Sequence, residues 1–233
     1  MKHRIILLIA LTLTGAGRGF CQLPELTAKE KSEGWVLLFD STSSDGWKKF
    51  SGEPFPSTGW KISNDVLSVD PSQGRGGDIV TEVRFSDFEL SLEFMVTRGA
   101  NSGIKYFEFE NTNLGLEFQI LDDENHPDAK NGRDGNHLQG SLYDLIPPGK
   151  TGVSRPVGEW NHTRIVSNGN RVEHWLNGEK IVSYKRGGKA FEKLVSESKY
   201  KGREGFGMID RSPVLLQDHG DVVSFRNIKI RHL

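Results

Sequence analysis

A single cysteine, Cys21, occurs among the 233 residues, so no intrachain disulfide supports the fold and the core must be large enough to hold it alone. The apolar run Ile5 to Leu13 is too short to cross a bilayer. Charge of one sign is also missing: 30 Lys and Arg face 31 Asp and Glu, with no basic stripe to suggest nucleic acid and no amphipathic stretch to suggest membrane binding. Gly74-Arg75-Gly76-Gly77 is rich in glycine but lacks both the Lys-Ser/Thr ending and the following helix of a phosphate loop, which leaves a flexible sheet-edge loop. There is no internal repeat.

What is present starts with a leader. Lys2-His3-Arg4, the apolar run and the small residues Gly15, Ala16, Gly17 and Gly19 have the form of an export signal. Cleavage after Cys21, with Gly19 and Cys21 at the −3 and −1 positions, divides the chain into a signal peptide, residues 1–21, and one domain, residues 22–233. The expected location is exported and periplasmic. The alternative is a lipoprotein anchored through Cys21, which Gly19-Phe20 fits poorly. Of the 30 basic residues, Lys2, Arg4 and Arg18 leave with the leader, so 27 face 31 acidic ones and the net charge becomes −4.

The remaining length of about 210 residues suits one all-β domain. Thr27-Ala28-Lys29-Glu30 has the capping-box form and predicts a helical turn over Ala28 to Glu33. Strands are expected at Trp35–Asp40, Trp60–Ile62, Val66–Val69, Ser141–Ile146, Trp160–Ser167, Arg171–Leu176 and Lys180–Tyr184. Phe88–Val96 alternates almost without fault and should be central to a sheet. Asn177-Gly178 signals a type I′ hairpin, and Phe191, Leu194, Val195 and Ser198 have the spacing of a short surface helix. In the closing strand, Val222–Arg231, the apolar period gains one residue between Phe225 and Ile228, which places a β-bulge near Arg226-Asn227. About a dozen short strands and two brief helices predict a two-sheet antiparallel jelly-roll sandwich.

The strand Gly115–Asp123 carries the chemistry. Leu116, Phe118 and Ile120 alternate with Glu117, Gln119 and Leu121, so one face packs and the other presents an acid and an amide. A polar insertion, Asp122 to Gln139, follows with Asp122, Asp123, Glu124, His126, Asp128, Asp134 and His137. Loops of that length and polarity are functional or mobile.

Several segments together carry a resemblance. They are Trp35–Asp40, Asn101-Ser102-Gly103-Ile104-Lys105, Glu117–Asp123, His126–Gly132, Gly140-Ser141-Leu142-Tyr143-Asp144 and Gly158-Glu159-Trp160-Asn161. Trp175-Leu176-Asn177-Gly178, Leu216-Gln217-Asp218-His219-Gly220 and Val223–Ile228 extend it to nearly the whole mature chain. In their order and number these segments resemble the 3-keto-disaccharide hydrolase domain family. The resemblance implies a jelly roll of the concanavalin A-like lectin/glucanase type and an exported bacterial enzyme acting on glycosides whose C3 hydroxyl has become a ketone. The chain departs from the pattern where Asp210-Arg211-Ser212-Pro213-Val214 precedes the Leu-Gln-Asp-His-Gly motif, since Pro213 removes a ladder donor.

A C3 ketone acidifies the hydrogen on C2, and loss of that proton lets the aglycone leave C1 by β-elimination, with or without later addition of water. Such an enzyme needs a base near C2, a donor or cation for the enolate oxygen and an acid for the leaving oxygen. The catalytic candidates are Glu117, His219, His137 and Lys105. Gln119, Arg98, Asn101, Asp122, His126, Gln217 and Asp218 are the substrate-binding candidates, with Asp218 placed to orient His219. The plain structural alternatives are that Glu117 pairs with Lys105, that Arg98 and Lys105 pair with Glu89 or Glu117, and that His219 anchors a turn.

No cofactor is required by this chemistry. The oxygen-rich set Asp122, Asp123, Glu124, His126 and Asp128 nonetheless has the composition of a divalent-cation site, without EF-hand spacing. The expected partner is a carbohydrate, a 3-keto-glycoside, with an oxidoreductase acting upstream to make the ketone. An ordinary glycoside hydrolase and a sugar-binding module without catalysis remain as other readings.

Overall fold

The capping box at Thr27 forms as expected: its hydroxyl accepts the Glu30 N–H at 3.2 Å and the Glu30 carboxylate accepts the Thr27 N–H at 2.8 Å. The computed structural model describes residues 25–109 and 112–233, and the expected signal peptide, 1–21, lies outside them. From α1 (Ala28–Ser32) the chain enters β1 (Val36–Leu37), β2 (Trp47–Lys49), β3 (Gly59–Ser63), β4 (Val66–Asp70) and β5 (Ile79–Thr81). It continues through β6 (Phe88–Val96), β7 (Asn101–Tyr106), β8 (Leu116–Leu121), β9 (Asn161–Asn168), β10 (Arg171–Leu176) and β11 (Glu179–Lys185). The last elements are α2 (Gly188–Ser196), β12 (Leu215–Leu216) and β13 (Val223–His232).

These strands make two antiparallel sheets packed as a jelly-roll sandwich. The larger sheet runs β11-β10-β9-β6-β13-β4-β3, with β1 also on β13, and the smaller runs β2-β5-β12-β7-β8. Alternation in β6 puts Phe88, Leu90, Leu92, Phe94 and Val96 into the core. Its outward acids are paired: Glu89 with Arg231 at 2.6 Å and Arg164 at 3.2 Å, and Glu93 with Arg226 at 2.5 Å. Leu116, Phe118 and Ile120 of β8 meet that core from the other sheet, Phe118 against Phe94 at 6.2 Å between ring centroids. The interleaved face of β8 points away from the core and is the floor of the site below.

Two sequence-based expectations change. Trp35–Asp40 keeps only the two-residue β1, although Trp35 and Phe39 still bury their rings. Ser141–Ile146 is a folded-back turn, in which Leu142 bridges both Phe118 and Ile146. Asp144 stands there at φ 60°, which no continuous strand tolerates. The expected bulge is present: β13 slips register against β6 between Arg226 and Lys229, with Asn227 at φ 54°. Asn177 and Gly178 both have positive φ, as the type I′ turn requires.

A polar chain crosses between the sheets. His174 is fully buried on β10, and burial pushes its pKa down to about 4, so the ring is neutral. Its Nδ1 lies 3.0 Å from the Gly140 carbonyl and its Nε2 lies 2.5 Å from the Tyr106 hydroxyl, which is in turn 3.0 Å from the Tyr184 hydroxyl. One assignment satisfies every group: Tyr184 donates to Tyr106, Tyr106 to Nε2, and Nδ1–H to Gly140. The chain ties β7, β10 and β11 to the turn that walls the site.

Candidate active site

Leu215, Lys105 and Glu117 stand in one row on the outer face of the smaller sheet, because β12 pairs Leu215 with Lys105 and β7 pairs Lys105 with Glu117. Asn101 and Gln119 share that face. Over it close the turn bearing Tyr143, the segment Lys199-Tyr200 beyond α2, and the loop bearing Gln217 and His219. The pocket they enclose is narrow, about 70 Å³, and lined by polar groups.

Glu117 and Lys105 are each 5% exposed, with Nζ 3.9 Å from Oε2. The Lys105 ammonium also donates to the Asn113 carbonyl at 3.1 Å. Burial raises the Glu117 pKa above the usual carboxylate value; Lys105, Lys199 and His219 oppose that rise and Asp78 adds to it. The Gln119 amide has two orientations. One donates to Asn101 Oδ1 at 3.3 Å; the other, which satisfies both its nitrogen and its oxygen, donates to Glu117 Oε1 at 3.3 Å and to the Ser102 carbonyl at 3.1 Å.

Gly103 makes the arrangement fit. It lies between Asn101 and Lys105 on β7, opposite Gln119, and the Glu117 carboxylate rests over its bare backbone. A Cβ at that position would sit 2.2 Å from Oε1 and 3.0 Å from Cγ of Glu117.

Of the candidates from sequence, Glu117, Lys105, Gln119, Asn101, Gln217 and His219 are brought together at the pocket. His219 is exposed at its mouth, with the His126 ring edge-on at 6.5 Å. The structure puts the remaining candidates elsewhere. Arg98 is exposed in the turn after β6 and does not line the pocket. Asp122 is buried and caps its own loop, accepting from Gly99 N at 2.7 Å and Asn125 Nδ2 at 2.8 Å. Burial pushes its pKa up, but these bonds outweigh it and the net direction is down.

Asp218 does not orient His219. Its oxygens accept from Gly77 N at 2.8 Å and Gly220 N at 2.9 Å, with Arg75 Nε at 3.6 Å, so it fastens the loop and the glycine-rich stretch to each other. His137 lies behind the wall, its nitrogens held by Asp128 at 3.1 Å and Asp144 at 3.0 Å. Asp128 also accepts from the Tyr143 hydroxyl at 2.8 Å, and Asp144 accepts the Lys199 N–H at 2.6 Å. His137 thus hangs the Tyr143 wall and the Lys199 segment on one frame.

The acidic loop is dispersed by these commitments. Asp123 accepts from Gln139 N at 2.7 Å, and burial raises its pKa to about 6. Among the described residues no three His, Cys, Asp or Glu side chains converge as a metal site would require.

Sequence reading missed Tyr143, Lys199 and Tyr200 as lining residues. Tyr143 sits inside a segment that carried the resemblance, but Lys199-Tyr200 follow a surface helix with no motif of their own. The packing of Tyr200 on Phe206, 3.9 Å between centroids, and the bond from Lys199 to Asp144 help bring them in.

With this geometry, the profile of the family described as the 3-keto-alpha-glucoside-1,2-lyase-like domain matches residues 34–231. The chain belongs to that family. A curated relative named 3-keto-disaccharide hydrolase, from Bacteroides thetaiotaomicron, is 31% identical over 249 aligned positions, covering 91% of this chain and 83% of the relative. A crystal structure of a candidate glycosyl hydrolase from Parabacteroides distasonis superposes with a TM-score of 0.79 at 30% identity, over 91% of this chain and all of that one. The exoplasmic/lumenal domain of VIP36 in its Ca2+/Man3GlcNAc-bound form, 11% identical with a TM-score of 0.51 over 86% of this chain and 89% of that one, shares the fold alone. Every residue lining the pocket falls inside the 3-keto-alpha-glucoside-1,2-lyase-like domain.

Proposed function

We propose that this chain cleaves 3-keto-glycosides by abstracting the C2 proton and eliminating the aglycone, with or without addition of water at C1. The observation that carries the reading is the buried Lys105–Glu117 pair on the pocket floor, with Glu117 as the pocket's single lining carboxylate among the described residues. An ordinary glycosidase places two carboxylates on either side of C1. One base beside one cation is instead what enolate chemistry asks for.

The narrow pocket admits one edge of the sugar. With the C2–C3 edge inserted, Glu117 takes the C2 proton, while Lys105 and the Gln119 amide hold the oxygen on C3 as it gains charge. His219, at the mouth, protonates the departing oxygen, and Asn101 and Gln217 bind sugar hydroxyls. The reaction needs no cofactor from these residues. An oxidoreductase that oxidises C3 acts upstream, and the enzyme works in the periplasm, a reading supported by the export-signal form of residues 1–21.

The test is incubation with a 3-keto-glucoside and with its unoxidised parent, in heavy water, with and without chelator. Aglycone release from the keto substrate alone, with deuterium or unsaturation at C2, supports the proposal. Release from the parent would favour an ordinary glycoside hydrolase, and binding without turnover a sugar-binding module. Loss of rate in chelator would bring a divalent cation into the site.

Gly103→Ala tests the floor directly. The added methyl must push the Glu117 carboxylate aside, so kcat/KM is expected to fall about 100-fold, the scale of misplacing a reacting group by an ångström. The melting temperature should move little by comparison, since the strain relaxes through one side chain. Full activity in Gly103→Ala would show that the position of Glu117 does not matter.

A further inference from the structure

The elimination mechanism uses one cation, yet the pocket holds two lysines. Lys105 is committed to Glu117 and the Asn113 carbonyl. Lys199 is not: no carboxylate of the described residues makes an ion pair with it. Its nitrogen stands 4.0 Å over the Tyr143 ring and 5.2 Å from that of Tyr200. Its backbone is fixed by the bond to Asp144, so the side chain projects from an anchored point into the pocket lining.

We propose that Lys199 is a nucleophile that forms an iminium ion with the C3 ketone of the substrate. The inference rests on the ketone of the preceding reading and adds to it a covalent step. The aromatic faces of Tyr143 and Tyr200 hold the side chain in place, and a second cationic group, Lys105, shares its pocket, a condition that favours an unprotonated, reactive lysine. Although Lys199 is exposed over much of its length, the protein packed around its ammonium lowers the pKa; Lys105 lowers it further, while Glu117, Asp144 and Asp128 oppose.

The step balances without an added oxidant or reductant. The neutral amine adds to C3, the carbonyl oxygen takes a proton to give a carbinolamine, and water leaves to give the iminium. Glu117 then takes the C2 proton, and the C2–H electrons form the enamine. Those electrons return to form C1=C2 as the C1–O bond breaks, and His219 protonates the aglycone oxygen. Water adds at C1 where the outcome is hydrolysis, and a second water cleaves the iminium to restore the ketone and the free amine. An iminium withdraws electrons from C2 more strongly than a neutral ketone, so the proton on C2 becomes easier to remove.

The experiment uses the whole protein with methyl 3-keto-glucoside in the presence of sodium cyanoborohydride, followed by peptide mapping by mass spectrometry. The expected result is a reduced sugar adduct on Lys199, absent with the unoxidised glucoside and lost in Lys199→Arg, which is checked for folding by its melting temperature. In 18O-labelled water the wild type should exchange the C3 oxygen faster than the buffer does, and Lys199→Arg should lose that acceleration. Aglycone release with neither adduct nor exchange would overturn the covalent step and leave the elimination reading standing. An adduct on Lys105 would overturn the assignment to Lys199, and no reaction of the keto-glucoside by any measure would overturn both.

Discussion

Glu117→Gln is expected to lower kcat/KM on a 3-keto-glucoside by about 10²- to 10⁴-fold, the span that a positioned base contributes. The amide keeps the size of the acid but cannot accept the C2 proton. Exchange of the C2 hydrogen with heavy water should therefore vanish together with aglycone release. A variant that still exchanged at the wild-type rate would remove Glu117 from the mechanism.

The pH dependence follows from the direction of the Glu117 shift. Burial raises its pKa, and the base must be ionised to act, so kcat/KM falls as pH falls through a value above the ordinary carboxylate range. Stability runs the other way. A raised folded-state pKa favours the folded protein at low pH, and that contribution is lost as pH rises through it. Gln resembles the protonated acid, so Glu117→Gln should melt no lower than the wild type at pH 8. A marked drop there would mean that attraction to Lys105 outweighs the cost of burying the charge.

Removing His174 should give the largest loss of stability. His174→Ala leaves the Tyr106 hydroxyl without an acceptor and the Gly140 carbonyl without a donor, and opens a cavity between the sheets. An unsatisfied buried group costs about 1–3 kcal/mol and the cavity adds to it, so the loss at pH 7 is on the order of 3–5 kcal/mol. For a domain of this size that lowers the melting temperature by on the order of 10 °C.

The effect should depend on pH with a definite sign. The His174 pKa is about 4 against 6.5 for a free imidazole, so the unfolded chain binds the proton more readily. The wild type should thus lose up to about 3 kcal/mol as pH falls from 6.5 towards 4, a loss that the variant does not suffer. The gap between the two melting temperatures should shrink over that range. A constant gap would show that His174 is not held neutral by its surroundings.

Sequence by itself determined the elements whose cause is local. Alternation in Phe88–Val96 set a central strand because every second side chain meets the opposite sheet. The extra residue between Phe225 and Ile228 set the bulge, and Asn177-Gly178 set a turn that needs positive φ. The polar face of Leu116–Leu121 was legible for the same reason, and with it Glu117 and Gln119. The order of the quoted segments also carried the family.

Tertiary structure decided which polar groups share a space. Asp218 and His219 are neighbours in sequence, yet one points its carboxylate to Gly77 and Gly220 while the other lines the pocket, a division that adjacency does not reveal. His137 had the chemistry of an acid or base and is spent between two aspartates. Lys199 had no motif, and reaches the pocket only because a turn beyond α2 is pinned to Asp144 from 55 residues away. Periodicity records which face of a strand a side chain takes, whereas the meeting of Lys105, Glu117, Lys199 and His219 depends on contacts between segments far apart in the chain, which no local pattern encodes.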